Sequence, residues 1–529
     1  MQKTDAIIQD GKSEKMELYF RCFNLSDKDV FSKSDPFVDV KLQLRSQSQI
    51  NAGMTEVVKD NLNPVFKKPV TIDYVFEAQQ TLAITVYDHD ESGGHELLGN
   101  ATCTVSQILM APVEGLTLSL ANISKKGQIR ISYSRIGQTN KTYNMKIRCT
   151  KVKDIEFFSK SDPFVRIFRP SMQYESYVDP NKIPPAEWIQ IHETEYYNDN
   201  LNPVFRPFSL NSATLNRGNS NMINKWEIWD YENSGKHRVI SVAFASVSQL
   251  LVTPSLITNT KKGKFGGNIQ FDEIKTFMIH PISSYLKMGL RLSLSVGIDF
   301  TGSNGIPKFP SSLHYIGNTN KLNQYQQAIM EVGMILMDYS EDKMIPAYGF
   351  GAKLPGEKSV NFCFPLNMNP QNPFVSSYQG LLMAYTNIVS ALDFAGPTNF
   401  APIIETYRQA VAQGFSVNKL VYSTLLILTD GLISDFHETV ASIVQCSRLP
   451  MSIVIVGVGN EDFKQMDMLD SDEKLLTDRY GNSCVRDIVQ FVPFRDYSYN
   501  PSILAEAVLR ELPSQINQFY NAIGIIPSE

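Results

Sequence analysis

Two carboxylate pairs in this chain, Asp29/Asp35 and Asp88/Asp90, have the residue type and placement that hold a hard metal ion. Each pair lies beside a run of strand-forming residues, and the pairs are distant from one another in sequence. Calcium takes six to eight oxygens at about 2.3–2.6 Å, and carboxylates carried on separate loops supply them singly or two at a time. The first pattern recurs. Residues 22–37 and 149–164 both end in Phe-Ser-Lys-Ser-Asp-Pro-Phe, an offset of 127 residues. A second shared string, Asp60-Asn-Leu-Asn-Pro-Val-Phe66 and Asp199-Asn-Leu-Asn-Pro-Val-Phe205, shows that a whole domain is duplicated. Like charges about 4 Å apart at an effective dielectric near 20 repel by about 4 kcal/mol per pair. Calcium cancels that repulsion and leaves coordination positions for a lipid phosphate or carboxylate.

Short β-branched and aromatic runs separated by turn residues must position these acids: Leu18–Phe23, Phe37–Leu44, Val70–Tyr74, Leu82–Tyr87 and Ile129–Tyr133. That grammar predicts an antiparallel β-sandwich. Pro36 biases Asp35 to extended backbone and Gly93-Gly94 permits a sharp reversal, so both acidic loops can meet at one tip. Val30 and Phe31 follow Asp29, and Phe157 and Phe158 hold the same places in the second copy. They are expected to touch the membrane, each buried side chain contributing roughly 1.5–3 kcal/mol. Two linked modules then bind far better than one. The second copy also carries an insertion that includes Asp179–Trp188, whose prolines mark a loop.

The pattern changes after about Leu286. Apolar runs at Arg291–Asp299, Met344–Phe350, Val421–Asp430, Ile453–Gly459 and Val489–Phe494 alternate with helical stretches around Gln324–Met337, Ser377–Leu392, Ala401–Ala412 and Glu438–Cys446. Leu504, Val508, Leu512 and Ile516 recur every four residues and predict a final amphipathic helix. Apolar strands between helices predict a doubly wound α/β domain with a mostly parallel sheet, and such sheets bind ligands at the carboxyl ends of their strands. Asp299 and Asp430 end two of these runs, with Thr301, Ser303 and Thr398 on nearby loops. Hard oxygens of this kind suit an octahedral divalent ion, magnesium or manganese.

With 529 residues and 43% hydrophobic content the chain can fill several cores. The expected division is a loose tail over 1–14, sandwiches over 15–136 and 142–280, and the α/β domain over 286–529. A formal charge of −5 offers no global attraction to nucleic acid. The apolar runs are too short to span a bilayer, and the first residues lack the apolar stretch of a secretion signal. The six cysteines (22, 103, 149, 363, 446 and 484) include no Cys-x-x-Cys spacing. They are expected to be reduced and mostly buried, as in a cytoplasmic protein.

The acidic spacing resembles that of C2 domains. That resemblance assigns Asp29, Asp35, Asp88, Asp90 and Glu96 as calcium ligands in the first copy, and Glu156, Asp162, Asp230 and Glu232 in the second. The fifth position of the second copy is Arg238, a cation that opposes a second or third calcium. The third domain resembles von Willebrand factor A domains and their metal-ion-dependent adhesion site, which assigns Asp299, Thr301, Ser303, Thr398 and Asp430 to the ion. Two C2-like domains followed by an A-like domain, with strings such as Gly396-Pro-Thr-Asn-Phe-Ala-Pro402 and Arg486-Asp-Ile-Val-Gln-Phe-Val-Pro-Phe-Arg495, resemble the copine family. The resemblance implies calcium-dependent binding to anionic phospholipid membranes and capture of client proteins that present an acidic residue to the A-like domain. A constitutive, calcium-stabilised scaffold is the alternative. A lipid hydrolase or ubiquitin ligase is disfavoured because no Gly-x-Ser-x-Gly elbow, His-Glu-x-x-His or RING cysteine spacing is present.

Overall fold

The computed structural model describes the chain apart from residues 1–12, 28–32, 46, 91–93, 122–126, 137–139, 157–158, 172–173, 175–178, 318–320, 471–474, 501–502 and 528–529. The first repeat supplies β1 (Glu14–Phe23), β2 (Pro36–Leu44), β3 (Ile50–Met54), β4 (Val70–Tyr74), β5 (Gln80–Asp88), β6 (Glu96–Thr104), β7 (Leu116–Ser119) and β8 (Gln128–Ile136). They form two four-stranded antiparallel sheets, β4-β1-β8-β7 and β3-β2-β5-β6. Met16, Leu18, Phe20 and Cys22 alternate inward from β1 and meet Leu82, Ile84 and Val86 of β5 in one core. Strands β3 and β6 escape a reading by alternation. No residue of β3 is buried, and β6 opens with exposed Glu96 and Leu97 before Gly99 at φ 138°.

The duplicated plan gives β9 (Asn140–Thr150), β10 (Pro163–Pro170), β11 (Trp188–Glu193), β12 (Phe208–Asn211), β13 (Ile223–Asp230), β14 (Arg238–Ser246), β15 (Ser255–Asn259) and β16 (Phe265–Ile279). Here the two layers run together as β11-β10-β13-β14-β15-β16-β9-β12, joined at β14 and β15 by the single pair Val242–Asn259. Val165, Ile167, Trp226 and Ile228 face Ile147 and Cys149 in the core. The insertion forms two 3₁₀ turns, Pro180–Lys182 and Pro185–Glu187. It buries Ile183 and Trp188 against Phe168, and Lys225 lies over the Phe168 and Trp188 rings at 4.2 and 5.3 Å. Phe168 follows core residue Ile167 on β10 and so faces the other way. The insertion therefore builds a small second core on the outer face of this sheet.

The third region contains β17 (Arg291–Asp299), β18 (Met344–Phe350), β19 (Ala352–Lys353), β20 (Phe364–Pro365), β21 (Phe374–Ser376), β22 (Asp393–Phe394), β23 (Val421–Thr429), β24 (Met451–Gly457) and β25 (Val489–Pro493). Strands β18, β17, β23, β24 and β25 run parallel in that order, with β20 and β21 antiparallel to β18 and a separate β19–β22 ladder. Helices α1 (Gln324–Asp338), α2 (Ser377–Ile388), α3 (Ala401–Gly414), α4 (Phe436–Cys446) and α5 (Leu512–Ala522) cover the sheet. Leu426 and Leu428 belong to the core with Ile329 and Ile335 of α1, whereas Leu425 and Ile427 pack with Ile403 of α3 and Ile443 of α4. Alternate residues of one strand therefore serve cores on both faces, which is why these strands read as unbroken apolar runs.

The expected final helix is two helices, Leu504–Leu509 and Leu512–Ala522. Pro513 has no N–H to give the Leu509 carbonyl, and the four-residue spacing of apolar side chains does not register that loss. Residues up to Gly137 pack with Pro281–Glu529 as one compact unit, and Gln138–His280 form another. No helix among the described residues is long and apolar enough to cross a membrane.

Candidate metal centres

In the first sandwich the register brings the acids to one end. Pro36 pairs with Asp88, and Asp88 pairs with Glu96, so the start of β2, the end of β5 and the start of β6 meet. The Asp35 N–H donates to Asp88 Oδ1 at 2.6 Å, and the Asp60 N–H donates to Asp35 Oδ1 at 2.7 Å. Asp60 Oδ1 in turn accepts the Lys33 N–H at 3.2 Å. Asp88 is buried, whereas Asp90 and Glu96 are exposed; the Asp90 N–H donates to His95 Nδ1 at 3.2 Å. Asp29, Val30, Phe31, Phe157 and Phe158 lie outside the described residues.

The second sandwich repeats these bonds. The Asp162 N–H donates to Asp230 Oδ1, and the Asp199 N–H to Asp162 Oδ1, both at 2.7 Å, while Asp199 Oδ1 accepts the Lys160 N–H at 2.8 Å. The fifth position differs. Oxygens of Glu156, Asp230 and Glu232 lie within 4.8 Å of one another, close enough to share an ion. One guanidinium nitrogen of Arg238 contacts Asp230 at 2.8 Å and Glu232 at 2.9 Å and also pairs with Glu156. Burial pushes the Asp230 carboxyl above its ordinary range, and Glu232 and Asp162 add to that. Arg238 is the counter-charge to this acidic group.

In the α/β domain Asp299 ends β17 and Asp430 follows the neighbouring β23, which places both at the carboxyl edge of the sheet. Asp299 Oδ1 accepts the Thr301 N–H at 2.8 Å and its hydroxyl at 2.6 Å. Ser303 Oγ lies 3.0 Å from Thr301 Oγ1 and donates to Asp430 Oδ1 at 2.9 Å. A parallel bridge between Thr301 and Ala395 brings in the next loop, and Thr398 Oγ1 reaches Thr301 Oγ1 at 3.5 Å. All five expected residues converge. Both carboxylates are buried, and among the described residues no cation pairs with either. Burial pushes Asp299 up, and burial with the Asp299 charge pushes Asp430 up to about 7. A Cβ built on Gly431 would sit 3.5 Å from Thr398 Oγ1 and 3.6 Å from Ser303 Oγ, so the glycine leaves space beside the hydroxyls. Two carboxylates, three hydroxyls and that space fit a hard divalent ion.

Comparison with known proteins bears on the whole arrangement. The C2 domain model matches residues 19–120 and 143–262, and the Copine model matches residues 312–528. The chain belongs to the copine family. Among solved structures this copine is similar to BON1-C2B, at 27% identity over 24% of this chain and 94% of that one, with a TM-score of 0.21. It is also similar to a single C2 domain of plant Extended Synaptotagmin 1, at 26% identity over 24% and 98% of the two chains and a TM-score of 0.20. The calcium-bound pair of C2 domains of Extended-Synaptotagmin 2 matches at 13% identity over 50% and 97%, with a TM-score of 0.21.

Several residues that shape the copine sites have no metal-ligand spacing to reveal them. Asp60 and Asp199 sit at φ 52° and 51°, a left-handed turn that aspartate tolerates, and each ties its own turn to the loop that carries Asp35 or Asp162. Asn63 and Asn202 accept the N–H groups of Asn24 and Lys151, both at 2.9 Å, which explains the repeated Asn-Leu-Asn-Pro string. Thr429 donates to Asp299 Oδ2 at 2.6 Å, and Asn304 Nδ2 donates to Asp430 Oδ1 at 2.9 Å. Tyr325 of α1 holds Asn304 through a 2.6 Å bond to Oδ1. His314 contacts the Asp299 carbonyl at 2.8 Å and stacks on Tyr325 at 4.0 Å. Burial pushes its imidazole down to about 3, so it is neutral and adds no counter-charge.

Proposed function

We propose that this copine is a binding protein, not an enzyme, which moves from the cytoplasm to anionic phospholipid membranes when calcium fills the first C2 domain. The observation that carries the reading is the meeting of Asp35, Asp88 and Glu96 at one end of a sandwich, where the Asp35 N–H donates to the Asp88 carboxylate and Asp88 stands opposite Glu96 in the strand register. Asp29 and Asp90 complete the proposed ligand set, and Val30 and Phe31 are the proposed membrane contacts. Calcium removes the mutual repulsion of the acids and presents open coordination positions to headgroup phosphate or carboxylate. We read residues 15–136 and 142–280 as the C2 domains and 286–529 as a doubly wound A-like domain. In the last, Asp299, Thr301, Ser303, Thr398 and Asp430 hold magnesium or manganese, which supplies a Lewis-acid position for an acidic side chain of a client protein.

A constitutive role is favoured for the second C2 domain alone, because Arg238 already pairs with Glu156, Asp230 and Glu232 where an ion would sit. Vesicle sedimentation tests the reading as a whole. Phosphatidylserine vesicles should pellet the full chain in calcium and leave it in solution in chelator, and equal pelleting in both would refute it.

A further inference from the structure

The compact unit that joins the first C2 domain to the A-like domain has a polarity. Strand β2 begins at the calcium cup and ends at Leu44, which pairs with Gln80 at the start of β5. Gln80 ties that end to the end of β4, donating to the Asp73 carbonyl at 2.7 Å and accepting the Val75 N–H at 2.8 Å. Arg45, Tyr74 and Phe76 therefore cluster at the end of the sandwich remote from Asp35, Asp88 and Glu96. These residues meet the A-like domain. Arg45 forms an ion pair with Glu331 whose side chains are 14% and 8% exposed. The buried hydroxyls of Tyr74 and Tyr339 share a 2.6 Å hydrogen bond, and the Phe76 ring packs on Tyr339 at 5.1 Å. Ser106, just past the far end of β6, donates to Asp338 at 3.2 Å.

The A-like domain is also approached through the end remote from its metal site. Helix α1 starts beside that site, where Tyr325 holds Asn304, and ends at Asp338. The Leu292 N–H donates to the Tyr339 carbonyl at 2.9 Å, which puts the helix end beside the start of β17, while Asp299 ends that strand. Each element of nine residues spans about 30 Å, so the two ion sites stand on the order of 50 Å apart.

We propose that the first C2 domain and the A-like domain form one permanently docked, base-to-base body, so that a membrane-seated calcium cup directs the A-like metal site away from the bilayer. The site then receives proteins presented from the aqueous side and not headgroups of the membrane to which the protein is bound. This orientation rests on the calcium-dependent membrane reading; the docking does not.

Thermal unfolding of the full chain tests the docking. Arg45→Glu and Glu331→Arg should each lower the melting midpoint by several degrees, and the double reversal should recover most of the loss. Tyr339→Phe is a milder companion, expected to cause a smaller loss. Single reversals that melt like the wild type, or a double variant no better than the sum of the two, would overturn it. Energy transfer to an acceptor lipid in phosphatidylserine vesicles tests the orientation. A donor dye is placed on exposed Lys59→Cys near the cup or on exposed Leu432→Cys beside Gly431, each with Cys363→Ser. In calcium the Lys59 position should transfer strongly and the Leu432 position weakly. Equal transfer would refute the orientation while leaving membrane binding intact. Transfer from neither would refute the membrane reading, and the orientation with it.

Discussion

Replacing Arg238 removes the cation on which three carboxylates of the second C2 domain converge. Their oxygens lie within 4.8 Å of one another, and at an effective dielectric near 20 each pair repels by about 3–4 kcal/mol. Three pairs give about 10 kcal/mol before solvent is considered. The side chains are far from dry: Arg238 is 44% exposed, Glu232 35% and Glu156 29%, against 1% for Asp230. Screening and side-chain relaxation therefore leave a net loss of about 2–4 kcal/mol for Arg238→Gln in chelator. For a unit of this size that lowers its melting midpoint on the order of 10 °C. Calcium should restore most of the loss, because the freed acids now bind an ion that the unfolded chain does not. Arg238→Asp, which supplies a further acid, should lose more in chelator and regain more in calcium. Differential scanning calorimetry of the full chain, in chelator and in millimolar calcium, reads both effects. An Arg238→Gln transition that matches the wild type in chelator would show that the guanidinium is not the counter-charge. An equal calcium shift in wild type and variant would show that it does not hold the place of an ion.

Asp88→Asn retains the oxygen that accepts the Asp35 N–H but loses a ligand charge, so calcium-dependent vesicle sedimentation should require roughly tenfold more calcium. Asp430→Asn removes repulsion with buried Asp299 and should stabilise the chelated protein by about 1–3 kcal/mol while abolishing its thermal shift in magnesium. A destabilised chelated variant would contradict that assignment. Tyr325→Phe takes the donor from Asn304 Oδ1, at a cost of about 1–3 kcal/mol, and should weaken magnesium binding by calorimetry although the tyrosine is not a ligand. Unchanged affinity would show that Asn304 needs no such support.

Much of this architecture is written locally. Period-two alternation in Met16–Cys22 and Leu82–Val86 is a short-range consequence of one buried face, and unbroken apolar strands with helices between them reflect a sheet covered on two sides. Ligand motifs are also short. Asp299, Thr301 and Ser303 share one turn, and the duplicated Ser-Asp-Pro and Asn-Leu-Asn-Pro strings announce a repeated loop framework before any fold is known. Arg238 was legible as a misplaced cation, but the acids it bridges come from two separate segments, Glu156 after β9 and Asp230 with Glu232 at the end of β13, and only their packing shows one nitrogen serving all of them. The missing alternation in β3 and the Pro513 break mark the opposite limit, where an edge exposed on both faces or one absent N–H leaves no trace in hydrophobic spacing.

Residue type and spacing were thus enough to indicate three modules and to nominate the acids proposed for each, because those signals come from neighbours in the chain. Pairing Arg45 with Glu331, Tyr74 with Tyr339 and Tyr325 with Asn304 was left to the folded molecule. Contacts between distant segments impose no periodicity on either segment, so nothing in the order of residues records them until the surfaces meet.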